Sequence, residues 1–178
     1  MSGSAEAFSG PPPDAAGYRI RMAAAEDRHP ILDLLSRAGL PTDDLSTGAP
    51  AAIWIAEHSR RTVGVIGLER YHATGLLRSL AVLPEHRGRG LGATLVRHLE
   101  IQGAWLGVTE LVLLTETATP FFARFGYRVI DRREAPESVR ASTEFGNLCP
   151  VTAICMIKTL AETAGGRDSD PKTRRGRS

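Results

Sequence analysis

The chain has 178 residues, of which 42% are hydrophobic, and its net charge is +2. This is enough apolar material for one core and too little for two, so we expect a single folded domain over residues 18–160. The ends, 1–17 and 161–178, are predicted to be disordered tails. Five basic and three acidic residues fall in the second tail. The folded part is therefore nearly neutral, which argues against a nucleic-acid partner.

Cysteine usage and hydropathy narrow the class of protein further. Cys149 and Cys155 are the only cysteines, five residues separate them, and no histidine stands at ligand spacing, so no metal site is predicted. The first residues lack the basic and apolar regions of a signal peptide, and no stretch is as long as a membrane span. We therefore expect a cytoplasmic protein with reduced thiols and no membrane partner.

Alternating and helically spaced apolar residues predict the elements in chain order. A loop with Tyr71 and His72 precedes the fourth strand, and Thr119 is predicted to cap the last helix ahead of Pro120. Strands followed by helices on either side of a mixed sheet indicate an α/β fold. The predicted strands are 18–22, 52–57, 62–69, 75–83, 110–115, 127–130 and 153–158, and the predicted helices are 25–38, 91–106 and 120–125.

The segment from Arg78 to Glu100 is the one around which the rest is organised. An apolar strand stops at Pro84, and a turn in which glycine alternates with other residues, RGRGLG at 87–92, follows. An apolar stripe at Leu95 and Leu99 then has helical spacing. A strand, a bare backbone and a helix N-terminus together favour an anion, with a diphosphate as the natural ligand.

Three interpretations of this turn compete. Gly88, Gly90 and Ala93 satisfy the Rossmann fingerprint G-x-G-x-x-A, with Glu116 as its ribose-binding acid. However, four residues separate the strand from the first glycine, and too little chain follows for a doubly wound sheet. The turn could also simply redirect the chain. The third pattern is R/Q-x-x-G-x-G/A after L-x-V-x-P, and it is matched by Arg87, Gly90, Gly92, Leu80, Val82 and Pro84.

That third pattern is the acetyl-CoA loop of the GNAT N-acetyltransferases, and the chain resembles this family from about Tyr18 to Lys158. The resemblance implies one GNAT-type domain with a mixed, mostly antiparallel sheet between helices. It also implies acetyl-CoA as acyl donor, no metal, and direct attack by an amine, with the N–H of Val82 or Leu83 polarising the thioester. The residues implied to bind the cofactor are Leu80, Ala81, Val82, Arg87, Gly88, Arg89, Gly90, Leu91, Gly92 and Ala93.

Three stretches are similar to a narrower group, the arsenic-resistance N-acetyltransferases: LLRSLAV, LLTETATPFFARFGY and ASTEFGNLCPVTAICM. The second also resembles N-acetylglutamate synthase domains. These likenesses imply a small-molecule amine acceptor that is amino-acid-like, with an arsenic-containing glutamate analogue as one candidate. Protein or peptide N-acetylation and a non-catalytic acyl-CoA sensor stay open. Phe122 occupies the position of the family's usual tyrosine acid, which leaves the general acid unassigned. The family also suggests a homodimer paired through late strands.

Candidate residues for the acceptor side follow from charge and position. Glu69 and Glu116, each at a strand end, are the candidate general bases, and His72 is the third. Arg78 in an apolar strand predicts either a clamp for a substrate carboxylate or an internal salt bridge. Ser79 is expected to point the other way. Further expected contacts to the acceptor come from Thr115, Thr117 and Cys149, with Arg140 and Ser142 nearby, and residues 41–50 are either a wall of this site or a connection.

Overall fold

The structure, a computed structural model, describes residues 16–42, 51–142, 145, 150 and 152–160. Both predicted tails, apart from residues 16 and 17, lie outside these ranges, as do residues 43–50 and Cys149. The strands are β1 (Arg19–Met22), β2 (Ala51–His58), β3 (Arg61–Tyr71), β4 (Thr74–Val82), β5 (Glu110–Thr115), β6 (Arg128–Ile130) and β7 (Ile154–Thr159). The α-helices are α1 (Arg28–Arg37), α2 (Leu91–Trp105), α3 (Thr119–Ala123) and α4 (Glu137–Arg140).

The described strands form one sheet in the order β1-β2-β3-β4-β5-β7-β6. Neighbouring strands are antiparallel except for β4 and β5, which run parallel because α2 carries the chain from one to the other. The predicted mixed, mostly antiparallel sheet is confirmed. No helix within the described ranges is long and apolar enough to cross a membrane.

Helices cover both faces of the sheet, as the α/β prediction requires. Successive side chains of a strand point to opposite faces. On β2, Trp54 belongs to the core beneath α2, whereas Ile55 belongs to the core beneath α1. The small helix α4 adds Val139 to a third cluster around Leu76 of β4. The sheet therefore has two apolar faces, and each is closed by its own helices.

Most predicted boundaries are shifted by one or two residues, and three of the differences have a structural explanation. The predicted helix 25–38 starts with a 3₁₀ turn at Ala25–Asp27, where the buried Asp27 carboxylate accepts the Ala24 N–H (2.8 Å) and pairs with Arg21 (2.6 Å). Tyr71 is not in a loop, because β3 and β4 form a tight hairpin that pairs Tyr71 with Thr74. The last helix begins at Thr119 and is preceded by Ala118, without a side-chain cap.

The β4 strand leaves the regular pattern twice, and both departures shape the site. Its parallel pairing with β5 covers only Thr74 to Leu76, so the two strands separate beyond that point. Its ladder with β3 slips by one residue, because Ser79 and Leu80 together lie opposite Ile66. The second half of β4 consequently borders a gap on its β5 side.

The core between α2 and the sheet should dominate stability. Leu95 is fully buried, whereas Ile101 on the same helix is 55% exposed. Leu95→Ala should lower the free energy of unfolding by about 2–5 kcal/mol, because it leaves a cavity in a packed interior. Ile101→Ala, which removes a similar amount of hydrocarbon, should change it by roughly 0.5 kcal/mol or less. Urea unfolding measures both values, and equal losses would contradict this packing.

Candidate active site

A cavity of about 650 Å³ occupies the gap between β4 and β5. One end lies at the turn before α2, and the other lies between the end of β5 and the residues that follow α1. Pro41 lines the cavity, so the polar segment 41–50 begins on the cavity wall. Residues 43–50 lie outside the described residues. Among the residues on its walls are Arg78, Ser79, Val82, Arg87, Thr115, Glu116, Thr117 and Phe122.

The glycine-rich turn has the conformation of an anion cradle. Gly88 and Gly90 have φ values of 72° and 83°, a region that other residues enter only with strain. Nothing lies within 4 Å of a Cβ built at either position, so their backbone is open to a ligand. The first intrahelical bond of α2 runs from the Thr94 N–H to the Gly90 carbonyl (3.0 Å). The N–H groups before it have no helical partner and are available to an anion.

Arg87 connects this turn to the strand before it. Its Nε donates to the Val82 carbonyl at 2.9 Å, and its side chain lines the cavity. Arg89 is exposed. This hydrogen bond holds the Arg87 guanidinium on the cavity wall next to the glycine-rich turn.

The backbone geometry of β4 decides between two candidate donors to the thioester. The Leu83 N–H donates to the Val63 carbonyl at 2.9 Å, so Leu83 is already bonded and the prediction that named it is corrected. Bonded and non-bonded pairs alternate along an antiparallel ladder. Val82, paired with Gly64, is therefore in a non-bonded pair, and its N–H points away from β3 toward the gap.

The three candidate general bases differ in burial and in whether they line the cavity. Glu69 is 6% exposed, forms an ion pair with Arg78, and accepts the Tyr71 hydroxyl at 2.6 Å. Burial and the Glu69 charge raise the pKa of Tyr71 to about 12. Glu116 is exposed and lines the cavity, which Glu69 and His72 do not. His72 lies in the β3–β4 turn. Of the three predicted bases, only Glu116 reaches the cavity.

Arg78 and Ser79 both line the cavity, contrary to the expectation from strand alternation. The reason is the bulge in β4, where Ser79 adopts a φ of 56°. Its hydroxyl accepts a hydrogen bond from Arg78 Nε at 3.3 Å. The structure thus contains the internal salt bridge that was one of two alternatives for Arg78, and it also places Arg78 on the wall of the cavity.

Phe122 occupies the position at which the family usually has a tyrosine as general acid. Phe122 is 4% exposed and lines the cavity. Tyr127 packs edge-on against it at 5.5 Å between ring centroids, and burial and the nearby Glu100 carboxylate raise the pKa of Tyr127. None of the chain's three tyrosines, all of them described, lines the cavity. No phenol is therefore placed to protonate the leaving group.

The remaining predicted acceptor contacts divide into two sets. Thr115 and Thr117 line the cavity, and Thr115 Oγ1 also accepts the Ala118 N–H at 3.0 Å. Arg140 and Ser142 bind their own segment, through the Ala135 carbonyl (3.0 Å) and the Phe145 N–H (3.3 Å). Cys149 lies outside the described residues. The described residues contain no group of three or more side chains that could hold a metal ion.

The sequence interpretation treated Glu69 and Arg78 as separate candidates, placed Tyr71 in a loop, and missed that the three side chains form one network. A signal was available, since a tight turn at His72 brings Glu69 and Arg78 close on neighbouring strands. The bulge had no comparable signal, because Ser79 and Leu80 follow an ordinary strand pattern.

An anion cradle beside a cavity between two separating strands is the arrangement expected of an acyltransferase that uses a coenzyme A thioester. Similarity to known proteins identifies the family. The acetyltransferase (GNAT) domain family matches residues 49–129. An uncharacterized N-acetyltransferase of Chlorobaculum tepidum is 32% identical over 109 residues, which cover 60% of this chain and 70% of that protein. The chain therefore belongs to the GNAT family of N-acetyltransferases, and acetyl-CoA is its acyl donor.

Solved structures support the fold. N-acetylglutamate synthase from Neisseria gonorrhoeae, complexed with coenzyme A and N-acetyl-glutamate, matches with a TM-score of 0.68 and 22% identity, covering 81% of this chain. The match covers 35% of the synthase, so this chain corresponds to about a third of that protein. The ribosomal-protein-S18-alanine N-acetyltransferase from Escherichia coli matches with a TM-score of 0.64 and 16% identity, covering 86% of this chain and 99% of that enzyme.

Positive φ at Gly90 should matter for acetyl-CoA binding and not only for stability. Gly90→Ala should lower the free energy of unfolding by about 1 kcal/mol and weaken acetyl-CoA binding at least roughly tenfold, because the cradle is distorted. Gly107→Ala is the matched control: its φ is 82° and its Cβ also meets nothing within 4 Å. Calorimetric titration should show normal affinity for the control. Equal affinities in both variants would exclude the turn as the cofactor site.

Breaking the buried ion pair should be far more costly than breaking an exposed one. Glu69→Ala removes the carboxylate that pairs with the buried Arg78 guanidinium and should destabilise the fold by about 3–5 kcal/mol. Replacing both residues by leucine should cost less than the single change. Asp33→Ala, which breaks the exposed pair with Arg37 (3.1 Å), should cost about 0.5 kcal/mol or less. Chemical denaturation of the set tests this order.

Proposed function

We propose that this enzyme acetylates the primary amine of a small amino-acid-like acceptor. The supporting observation is that the two sides of the cavity differ in chemistry. On β4 the cavity is bordered by Arg78, which is paired with Glu69, and by Ser79, whose hydroxyl can donate a hydrogen bond; beyond β5 it is bordered by the exposed carboxylate of Glu116. A zwitterionic amino acid is complementary to this arrangement, with its carboxylate toward β4 and its ammonium toward Glu116.

The reaction follows from these positions. Glu116, directly or through a water, removes a proton from the ammonium, and the free amine attacks the thioester carbon. The Val82 N–H stabilises the negative charge that develops on the carbonyl oxygen. The carbon–sulfur bond then breaks and coenzyme A leaves as a thiolate. The nitrogen loses its second proton, solvent protonates the thiolate, and the acetyl group remains on the nitrogen as an amide.

An exposed carboxylate is a sufficient base for this class of amine. An α-amino group has a pKa of about 7.8 and a lysine amine about 10.4, so the free amine costs roughly 3.5 kcal/mol more to reach for lysine. Free amino acids lie between these limits because their own carboxylate raises the pKa of the amine. A carboxylate base at this position thus favours amino acids over longer alkylamines.

Two likenesses support specific members of this class. The synthase from Neisseria gonorrhoeae, whose structure contains N-acetyl-glutamate, favours a glutamate-like acceptor. The resemblance of LLRSLAV and LLTETATPFFARFGY to the arsenic-resistance group adds arsenic-containing glutamate analogues. The likeness to the ribosomal-protein-S18-alanine enzyme supports a second candidate, the N-terminal amine of a protein.

Other expectations accompany this proposal. We place the reaction in the cytoplasm and expect two copies to pair through the late strands, where β6 forms one edge of the sheet and exposes Val129. We also retain the division of the chain into tails at 1–17 and 161–178 and one domain at 18–160 as a prediction.

Thiol release from acetyl-CoA tests the proposed acceptor class. The panel contains free amino acids, phosphinothricin and arsinothricin, polyamines and short peptides, and mass spectrometry identifies the acetylated product. We expect turnover of a carboxylate-bearing small amine. Turnover of peptides alone would favour the protein-directed candidate. If no amine reacts while acetyl-CoA still raises the Tm, the proposed acceptor class fails for this panel and the acyl-CoA sensor alternative is favoured.

The role of Glu116 has a pH signature. Glu116→Gln should lower kcat/KM about 100-fold near pH 7, because the base is lost. The deficit should shrink as the pH rises toward the pKa of the amine, since solvent then supplies the free amine. Glu110→Gln, at the other end of β5, is the control and should be unchanged. A deficit that is constant with pH would assign Glu116 to binding instead.

A further inference from the structure

Ser79, at the bulge of β4, has a positive φ inside a strand. Of the four described non-glycine residues with positive φ, Ser59, Arg60 and His72 lie in hairpin turns, where such angles are common. Ser79 lies within β4, with a φ of 56°. Strain of this kind persists where the surrounding structure imposes it, and it is concentrated at functional sites.

The hydroxyl of Ser79 is oriented by Arg78. Arg78 Nε is 3.3 Å from Ser79 Oγ, and because a guanidinium can only donate, the hydroxyl is the acceptor in this bond. Its own proton must therefore be donated in another direction. Ser79 is partly exposed, and it lines the cavity.

Arg78 itself is fixed from behind. Its side chain is 2% exposed and is paired with Glu69, and Glu69 is held in turn by the Tyr71 hydroxyl at 2.6 Å. The guanidinium charge is therefore largely balanced inside the protein. Arg78 polarises the Ser79 hydroxyl, which lies on the cavity wall beside it.

We propose that Ser79 is a specificity-determining residue whose hydroxyl donates a hydrogen bond to the carboxylate of the acceptor, an inference that rests on the proposed function. A hydroxyl that accepts a bond from a cation becomes a stronger donor and a weaker acceptor. It therefore favours an oxyanion, and the neighbouring guanidinium disfavours an ammonium at the same place. The bulge in β4 places Ser79 on the cavity wall.

The test compares two acceptors that differ only in the carboxylate: the best amino-acid substrate and the amine that lacks its α-carboxylate. In Ser79→Ala, the KM for the amino acid should rise about 10- to 100-fold, the range for a lost hydrogen bond to a charged group. The KM for the decarboxylated amine and the KM for acetyl-CoA should stay within about twofold of wild type.

Ser79→Gly separates function from folding. It removes the hydroxyl and also relieves the positive φ, so its Tm should equal or exceed that of wild type while the KM for the amino acid rises. Ser59→Gly is the matched control: it relieves a φ of 50° in the β2–β3 turn and should leave every KM unchanged. A purely structural role for Ser79 would instead give unchanged kinetics in the glycine variant.

The outcomes distinguish this inference from the proposal beneath it. If wild-type protein acetylates no carboxylate-bearing amine, the proposed function fails whatever Ser79 does. If it acetylates one and both Ser79 variants keep the wild-type KM for it, only the assignment to Ser79 is overturned. Equal KM increases for the two acceptors would overturn it as well.

Discussion

The parallel pairing between β4 and β5 extends over only three residue pairs, and the cavity of this protein lies in the gap that opens beyond them. Past Leu76, the β4 side facing β5 has backbone groups without ladder partners. Such groups are costly when buried, but at the edge of a cavity they can bind a ligand. The separation leaves the Val82 N–H without a β5 partner, whereas the anion cradle comes from the glycine-rich turn that follows β4. The break in the sheet therefore supplies the Val82 N–H and the cavity, and we interpret them as the thioester donor and the space for the acceptor.

The buried pair of Glu69 and Arg78 fixes the side-chain positions on the β4 side of this gap. Taking two charges out of water is expensive, and hydrophobic residues of the same size would often be no less stable. The pair is placed where β4 bulges, and it orients Ser79 toward the cavity. We interpret the network as a means of fixing the geometry of the acceptor end, for which an apolar pair would offer no hydrogen bonds.

The sequence was sufficient to predict the fold and its family because those depend on patterns with fixed periods. Strand alternation, the helical stripe at Leu95 and Leu99, and the R-x-x-G-x-G turn are all local. The acceptor site depends on pairings between strands. The contact of Glu69 with Arg78 follows from the register of a hairpin, and the orientation of Ser79 follows from a one-residue slip in that register. A slip changes which face a side chain occupies, so the alternation rule gave the wrong direction for Ser79.

We propose that an amino-acid acceptor spans the cavity from Ser79 on β4 to Glu116 beyond β5. A crystal structure with coenzyme A and the acceptor identified by thiol release would show where each group binds. We expect the acceptor carboxylate within hydrogen-bonding distance of Ser79 Oγ and its nitrogen on the Glu116 side of the cavity. An acceptor bound with its carboxylate toward Glu116, or bound outside the gap between β4 and β5, would contradict it.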